Sequence, residues 1–337
     1  MSKKRPSGTV PANSTPVAGT TENGGVISVE NRSASDGHLI VGIGASAGGL
    51  EAFRSFFSEM PVDSGMAFVL VQHLDPDYNS ALADIISDCT AMPVEKATDG
   101  TVAAPNTVSV IPQNTILKIE GGVIRLAAPE SPTARRSSID TFLLSLAQDQ
   151  GENAVGIILS GFGSDGTLGI QAIKEHGGLT LSEAAFDHHA KFGMPQSATI
   201  GGFVDYVLTP QEMPARLLEY RDFIRRKPIH ELLESPGPGK ANHLMTICSV
   251  LNSRLGRDFG QYKPNTLMRR VRRRMQVLQI EDPNEYIAQL RTLPNEPDLL
   301  FREILISVTR FFRDSAMFEA LAETVLPDLG CEPILSC

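Results

Sequence analysis

Leu39-Ile40-Val41-Gly42-Ile43-Gly44-Ala45-Ser46-Ala47-Gly48-Gly49-Leu50 is the stretch whose reading decides the fold. Leu39 to Ile43 is a short β-branched run with the look of a buried strand, and Gly49 to Met60 carries apolar residues at helical spacing. A strand, a tight turn and a helix follow in order, with Ser46 between glycines at the turn. Such a turn presents a serine hydroxyl in the open, near the unpaired N–H groups of a helix start that suit a developing oxyanion. Gly42, Gly44 and Gly48, with Asp75 after the next apolar run, equally fit a glycine-rich turn that cradles dinucleotide phosphates. The motif alone leaves both readings open.

Outward from this turn, strand-like runs alternate with helical segments from His38 to about Tyr220. The runs are Leu39–Ile43, Ala67–Val71, Thr107–Ile111, Ala154–Leu159, Leu179–Ser182 and Gly202–Val207. The alternation predicts an α/β domain over 38–225 with a doubly wound, mainly parallel sheet. Asn114 to Ala127 breaks the rhythm and contains Gly121-Gly122, which predicts an inserted hairpin. Residues 1–37, rich in Ser, Thr, Gly, Asn and Pro, read as a disordered lead-in. Glu234-Ser235-Pro236-Gly237-Pro238-Gly239 disfavours helix and strand alike and marks a linker over 226–241. A small all-α domain is expected over 242–329, with an irregular tail over 330–337.

With 337 residues, 42% of them hydrophobic, the chain can bury a sizeable core and form two domains. No window is long and apolar enough to span a bilayer, and Lys3-Lys4-Arg5 is followed by polar residues, so neither membrane insertion nor secretion is expected. Cys89, Cys248, Cys331 and Cys337 have neither metal-ligand nor disulfide spacing, which fits a reducing cytoplasm. A net charge of −9 argues against general nucleic-acid binding.

A serine nucleophile needs a base within hydrogen-bond reach and a group that holds the base in the right tautomer. His73 lies just past the second strand, and in a parallel sheet that strand end shares an edge with Ser46. The loop after Ala154–Leu159, Ser160-Gly161-Phe162-Gly163-Ser164-Asp165-Gly166, reaches the same edge, and Asp165 is the expected orienting carboxylate. Asp165 equally suits an N-cap for the helix from Thr167 to His176. His176 would face the opposite edge. His188 and His189 beside Asp187 lack a third ligand, so no metal site is expected.

The stretch from Ile40 to about Tyr206 resembles the catalytic domain of CheB-type protein-glutamate methylesterases. The resemblance rests on Ile43-Gly44-Ala45-Ser46-Ala47-Gly48-Gly49, Gln72-His73, Ser138-Ile139-Asp140, Ser160 to Gly166 and Phe192-Gly193-Met194-Pro195. It implies that Ser46 is the nucleophile, His73 the general base and Asp165 its partner, with oxyanion donors among the backbone N–H groups near His73 or Phe162. It also implies hydrolysis of glutamate γ-methyl esters, and deamidation of glutamine, on methyl-accepting chemotaxis receptors, in contact with chemotaxis signalling proteins and without a cofactor. Ala47 and Phe162 stand where the family often has Thr and Met. The family's regulated members carry an N-terminal receiver domain, for which residues 1–37 are too short.

The helical region resembles the N-terminal domain of the opposing CheR-type methyltransferase. Met268, Val271, Met275 and Leu278 fall on one helical face, which would leave Arg269, Arg270, Arg272, Arg273 and Arg274 toward solvent. The resemblance implies that such arginines bind the acidic receptor, and that Thr309 and Arg313 contribute contacts to S-adenosylmethionine. No nucleotide-binding sheet follows Leu329, so methyltransferase activity is not expected and the order reads as an interrupted fusion. Two further readings remain beside the esterase: a receptor-binding module that docks through the basic helix, and a dinucleotide-binding protein.

Overall fold

The computed structural model describes residues 37–46, 48–73, 82–184, 193–226, 240–259 and 262–306. The chain divides into Met1–Gly37 and His38–Cys337, and every described element belongs to the second unit.

The six-residue strand β1 (Ile40–Ala45) is buried at every position, as expected of a strand covered on both faces. It pairs in parallel with β2 (Ala67–Gln72) on one side and β7 (Ala154–Ile158) on the other. Beyond β2 lie β4 (Val108–Val110) and the edge strand β3 (Val94–Lys96); beyond β7 lie β8 (Leu179–Glu183) and β9 (Tyr206–Leu208). All pairings in this seven-stranded sheet are parallel, so it is wholly rather than mainly so. The direction of winding reverses between β1 and β7. In open parallel sheets the crevice at the carboxyl ends of such strands is where ligands bind.

Helices cover both faces. Helices α1 (Gly49–Glu59), α2 (Leu82–Ser87) and α7 (Met213–Arg226) bury Phe53, Phe56, Phe57, Ile86, Leu217 and Tyr220 against one side. Helices α4 (Ser138–Gln150), α5 (Thr167–Glu175) and α6 (Met194–Ile200) bury the other with Phe142, Leu143, Ile170 and Ile173. That face also takes the antiparallel hairpin β5 (Ile116–Glu120) and β6 (Val123–Ala127), expected from Gly121-Gly122. The short helix α3 (Pro132–Arg136), capped by the Ser131 side chain on Ala134 N–H, leads into α4.

Gly42 and Gly44 lie inside β1, where α4 crosses. A Cβ at Gly42 would sit 2.6 Å from the Phe142 ring, and one at Gly44 2.4 Å from Ile139. These glycines exist for the close approach of α4, not to line a phosphate turn. Gly48 alone has turn geometry, capping α1 with φ 93°, a conformation side chains rarely adopt.

After α7 come α8 (Lys240–Leu255), α9 (Pro264–Leu278), α10 (Pro283–Thr292) and α11 (Glu296–Ile306). They bury Leu251, Val271, Met275, Tyr286, Leu290 and Leu300 in a core shared with Phe223 of α7. The predicted apolar face of α9 is thus correct. The solvent exposure expected of its arginines is not. Arg270, Arg273 and Arg274 are 1%, 3% and 4% exposed, because α9 is packed on both sides. Arg273 meets Asp205, Glu303 and the Gly178 carbonyl, while Arg274 forks onto Glu296. Lys174 joins the same cluster through Asp205 (2.9 Å) and Glu303 (3.2 Å). Arg272 reaches Glu152, and of the five arginines only Arg269 is exposed. Gly178 and Asp205 directly precede β8 and β9, and Glu152 lies two residues before β7, so the helical region docks on the amino edge of the sheet.

Candidate active site

Ser46 is the first residue past β1 and His73 the first past β2. Ala45 and Gln72 are register partners, so the two residues emerge from adjacent strands at the carboxyl edge. The Ser46 N–H donates to Ser160 O at 3.0 Å, tying the serine to the loop after β7. That loop carries Asp165 to the same crevice, and His73 Nε2 lies 2.7 Å from Asp165 Oδ2. The side chains are 24% and 7% exposed: imidazole reachable, carboxylate sealed behind it.

Backbone N–H groups hold the carboxylate. Asp165 Oδ2 also accepts from Ile139 N–H (3.0 Å), and Oδ1 accepts from Asp140 N–H and Gly166 N–H (2.9 Å each). Ile139 and Asp140 are in the first turn of α4, where free N–H groups and the helix dipole favour an anion. Asp165 therefore caps α4, although it precedes α5 in sequence. In return, Asp140 Oδ1 accepts from Gly169 N–H in the first turn of α5 (2.8 Å). Burial pushes the Asp140 carboxyl up to about 6, against the pull of the Gly169 hydrogen bond and with the help of the Asp165 charge.

Glu183, at the end of β8, accepts from both Ser160 N–H (2.6 Å) and Ser160 Oγ (2.7 Å), and so fixes the loop that carries Asp165. Sequence reading missed Glu183 and the role of Asp140. Glu183 was within reach, since it ends a strand at the same edge.

The two expected oxyanion donors part company. The His73 N–H donates to Ala45 O at 3.1 Å, extending the β1–β2 ladder, so it is spent on the sheet. The Phe162 N–H has no hydrogen bond among the described residues. It follows Gly161, whose backbone lies against the nucleophile: a Cβ there would stand 2.7 Å from Ser46 Cβ and 2.5 Å from Met194 Sδ. Phe162 bridges to Gly193, and its side chain is 79% exposed.

His176 caps the far end of α5, its Nδ1 2.9 Å from Ala172 O, away from the crevice. Ala47, Asp75, Asp187, His188, His189, Thr309, Arg313 and Glu234 to Gly239 lie outside the described residues. Among the described residues no group of three or more His, Cys, Asp and Glu could hold a metal ion, and no helix is long and apolar enough to cross a membrane.

Fold and site together define an α/β protein with helices on both faces of a parallel sheet, which brings a serine, a histidine and an aspartate to its switch point. Residues 41–217 match the family CheB methylesterase, and residues 242–305 match the CheR methyltransferase all-alpha domain. The first match covers more than half of the chain, which belongs to the CheB methylesterase family. A protein-glutamate methylesterase/protein-glutamine glutaminase of Oceanobacillus iheyensis is 31% identical over 56% of this chain and 55% of its own length. One from Paramagnetospirillum magneticum is 35% identical over 53% of this chain and 51% of its own. An uncharacterized 104.1 kDa protein of Rhodobacter capsulatus is 35% identical over 74% of this chain but 28% of its own length. The chain thus spans about half, or less, of these relatives. The Thermotoga maritima CheB methylesterase catalytic domain, a crystal structure, is 29% identical with a TM-score of 0.49, over 54% of this chain and 98% of that one.

Proposed function

We propose that the chain hydrolyses glutamate γ-methyl esters on methyl-accepting chemotaxis receptors in the cytoplasm, and deamidates glutamine at the same positions by the same steps. The observation that carries this reading is the 2.7 Å pairing of His73 Nε2 with the capped Asp165 carboxylate, beside Ser46 at the strand ends. With the ring proton on Nε2 and directed at the carboxylate, Nδ1 is the nitrogen left with a lone pair. It takes the hydroxyl proton as Ser46 attacks the ester carbonyl. Asp165 stabilises the imidazolium that forms. The Phe162 N–H donates to the tetrahedral oxyanion.

Collapse breaks the C–O bond to the methoxy group, His73 returns its proton to that oxygen, and methanol leaves. Water, deprotonated by His73, then attacks the glutamyl ester on Ser46 and frees glutamate and the serine. No step passes through S-adenosylmethionine or any other cofactor. The esterase module is assigned to 38–225 and the helical module begins at 242.

The assignment is tested with a peptide bearing one glutamate γ-methyl ester. Methanol release is expected from the wild-type protein and not from Ser46→Ala. Equal release by the two would defeat it.

A further inference from the structure

Beside the imidazole is a cavity of about 190 Å³, walled by His73, Pro112, Gln113, Asn114, Arg135 and Arg136. It falls below the roughly 300 Å³ at which pockets begin to hold drug-sized ligands, and is suited to a single side chain. The described residues around it include two arginines and no carboxylate. Neither Arg135 nor Arg136 has an ion-pair partner among the described residues. Two side-chain nitrogens of lining residues, Arg135 Nε and Gln113 Nε2, are buried and have no acceptor among the described residues.

Arg273 and Arg274 are buried with carboxylates in bidentate or networked contact, whereas Arg135 and Arg136 wall a cavity that has no carboxylate among its described residues. An acceptor that enters this cavity meets guanidinium groups with no ion-pair partner among the described residues. The positive charge selects an anionic one, and a planar carboxylate matches the guanidinium fork.

We propose that this cavity is a substrate subsite that takes a second, unesterified carboxylate side chain of the same substrate segment while the methyl ester lies at Ser46. On a helical substrate, residues three or four positions apart lie about 5–6 Å apart, which suits a cavity that shares His73 with the reaction site. The inference rests on the esterase reading for the ester's position. It adds a specificity element: the protein reads an acidic neighbour, and uses Arg135 and Gln113 to do so.

The test compares two synthetic helical peptides, each with one glutamate γ-methyl ester, that differ four residues away in carrying Glu or Gln. Methanol release by the full chain gives kcat/KM, and fluorescence anisotropy gives the affinity of the Ser46→Ala protein for each labelled peptide. The Glu peptide is expected to bind and react about tenfold better, mostly through KM, as one charge-assisted hydrogen bond supplies. Arg135→Ala should bring the Glu/Gln ratio to about one, and Arg135→Lys should keep part of it.

Hydrolysis of both peptides with equal kcat/KM by the wild-type protein overturns the subsite and leaves the esterase reading standing. Binding preference without hydrolysis supports the subsite and defeats the reading of Ser46. The wild-type ratio alone decides the matter if a variant fails to fold.

Discussion

The two edges of the sheet hold the same kind of contact, a carboxylate against a nitrogen donor, for opposite ends. At the carboxyl edge Asp165 meets His73, whose side chain is 24% exposed. At the amino edge Asp205 meets Arg273 and Lys174, with side-chain exposures of 0%, 3% and 5%. Arg273 and Lys174 are locked between the α/β and helical modules, where removing a cation leaves a buried carboxylate short of its partner. His73 is a side chain that can take up and return a proton, and it is reachable by substrate. One edge is built for staying, the other for turnover, and the parallel sheet separates them by the length of its strands.

The largest effect expected is at the carboxyl edge. His73→Ala should lower kcat by about six orders of magnitude, as for the base of other acid–base–nucleophile sets, with little change in the denaturation midpoint. At the amino edge Arg273→Ala should do the reverse: about 3 kcal/mol of stability lost in urea unfolding, with kcat on a small ester unchanged. A kcat loss there would break the comparison. Gly44→Ala should cost about 1–3 kcal/mol through overpacking against Ile139, and kcat should fall with it, because Ile139 N–H is one of the donors that hold Asp165.

The smallest effect is one of sign. Burial raises Asp205, but the charges of Arg273 and Lys174 outweigh it and hold the carboxyl well below the ordinary carboxylate range. The unfolded state then binds the proton more readily, so this contribution is present above about pH 4 and is lost as the pH falls below it. Asp140 at the other edge is raised to about 6, so the folded state binds the proton more readily. Its contribution is present below about pH 4 and is lost as the pH rises to about 6. Thermal unfolding of Asp140→Asn should lack that decline, while the acid limb due to Asp205 persists.

Much of the carboxyl edge was legible in the sequence, because a parallel sheet places every strand end on a shared rim. Knowing that β1, β2 and β7 are strands is enough to gather Ser46, His73 and Asp165. Their hydrogen bonds were not legible. The His73 N–H falls to the β1–β2 ladder because the pairing continues one residue past the last strand position, and register cannot be read from one strand alone.

The arginines of α9 misled for a different reason. A periodic apolar face indicates one buried side, and a helix clamped between two cores has two. What neutralises Arg273 comes from Asp205 and Glu303, far away in sequence and invisible to any local pattern. The edge strand β3 was missed because only three residues pair, with Glu95 and Lys96 turned to solvent. The Phe162 N–H, expected as a donor, has no hydrogen bond among the described residues and follows a glycine whose backbone lies against Ser46.

The division between the two edges is tested most directly by labelling the wild-type protein with a fluorophosphonate and mapping the adduct by mass spectrometry. The adduct is expected on Ser46, formed orders of magnitude more slowly in His73→Ala and Asp165→Asn and at the wild-type rate in Arg273→Ala. An adduct on another residue, or one that forms on Ser46 equally fast without His73, would contradict the assignment of the carboxyl edge as the catalytic one.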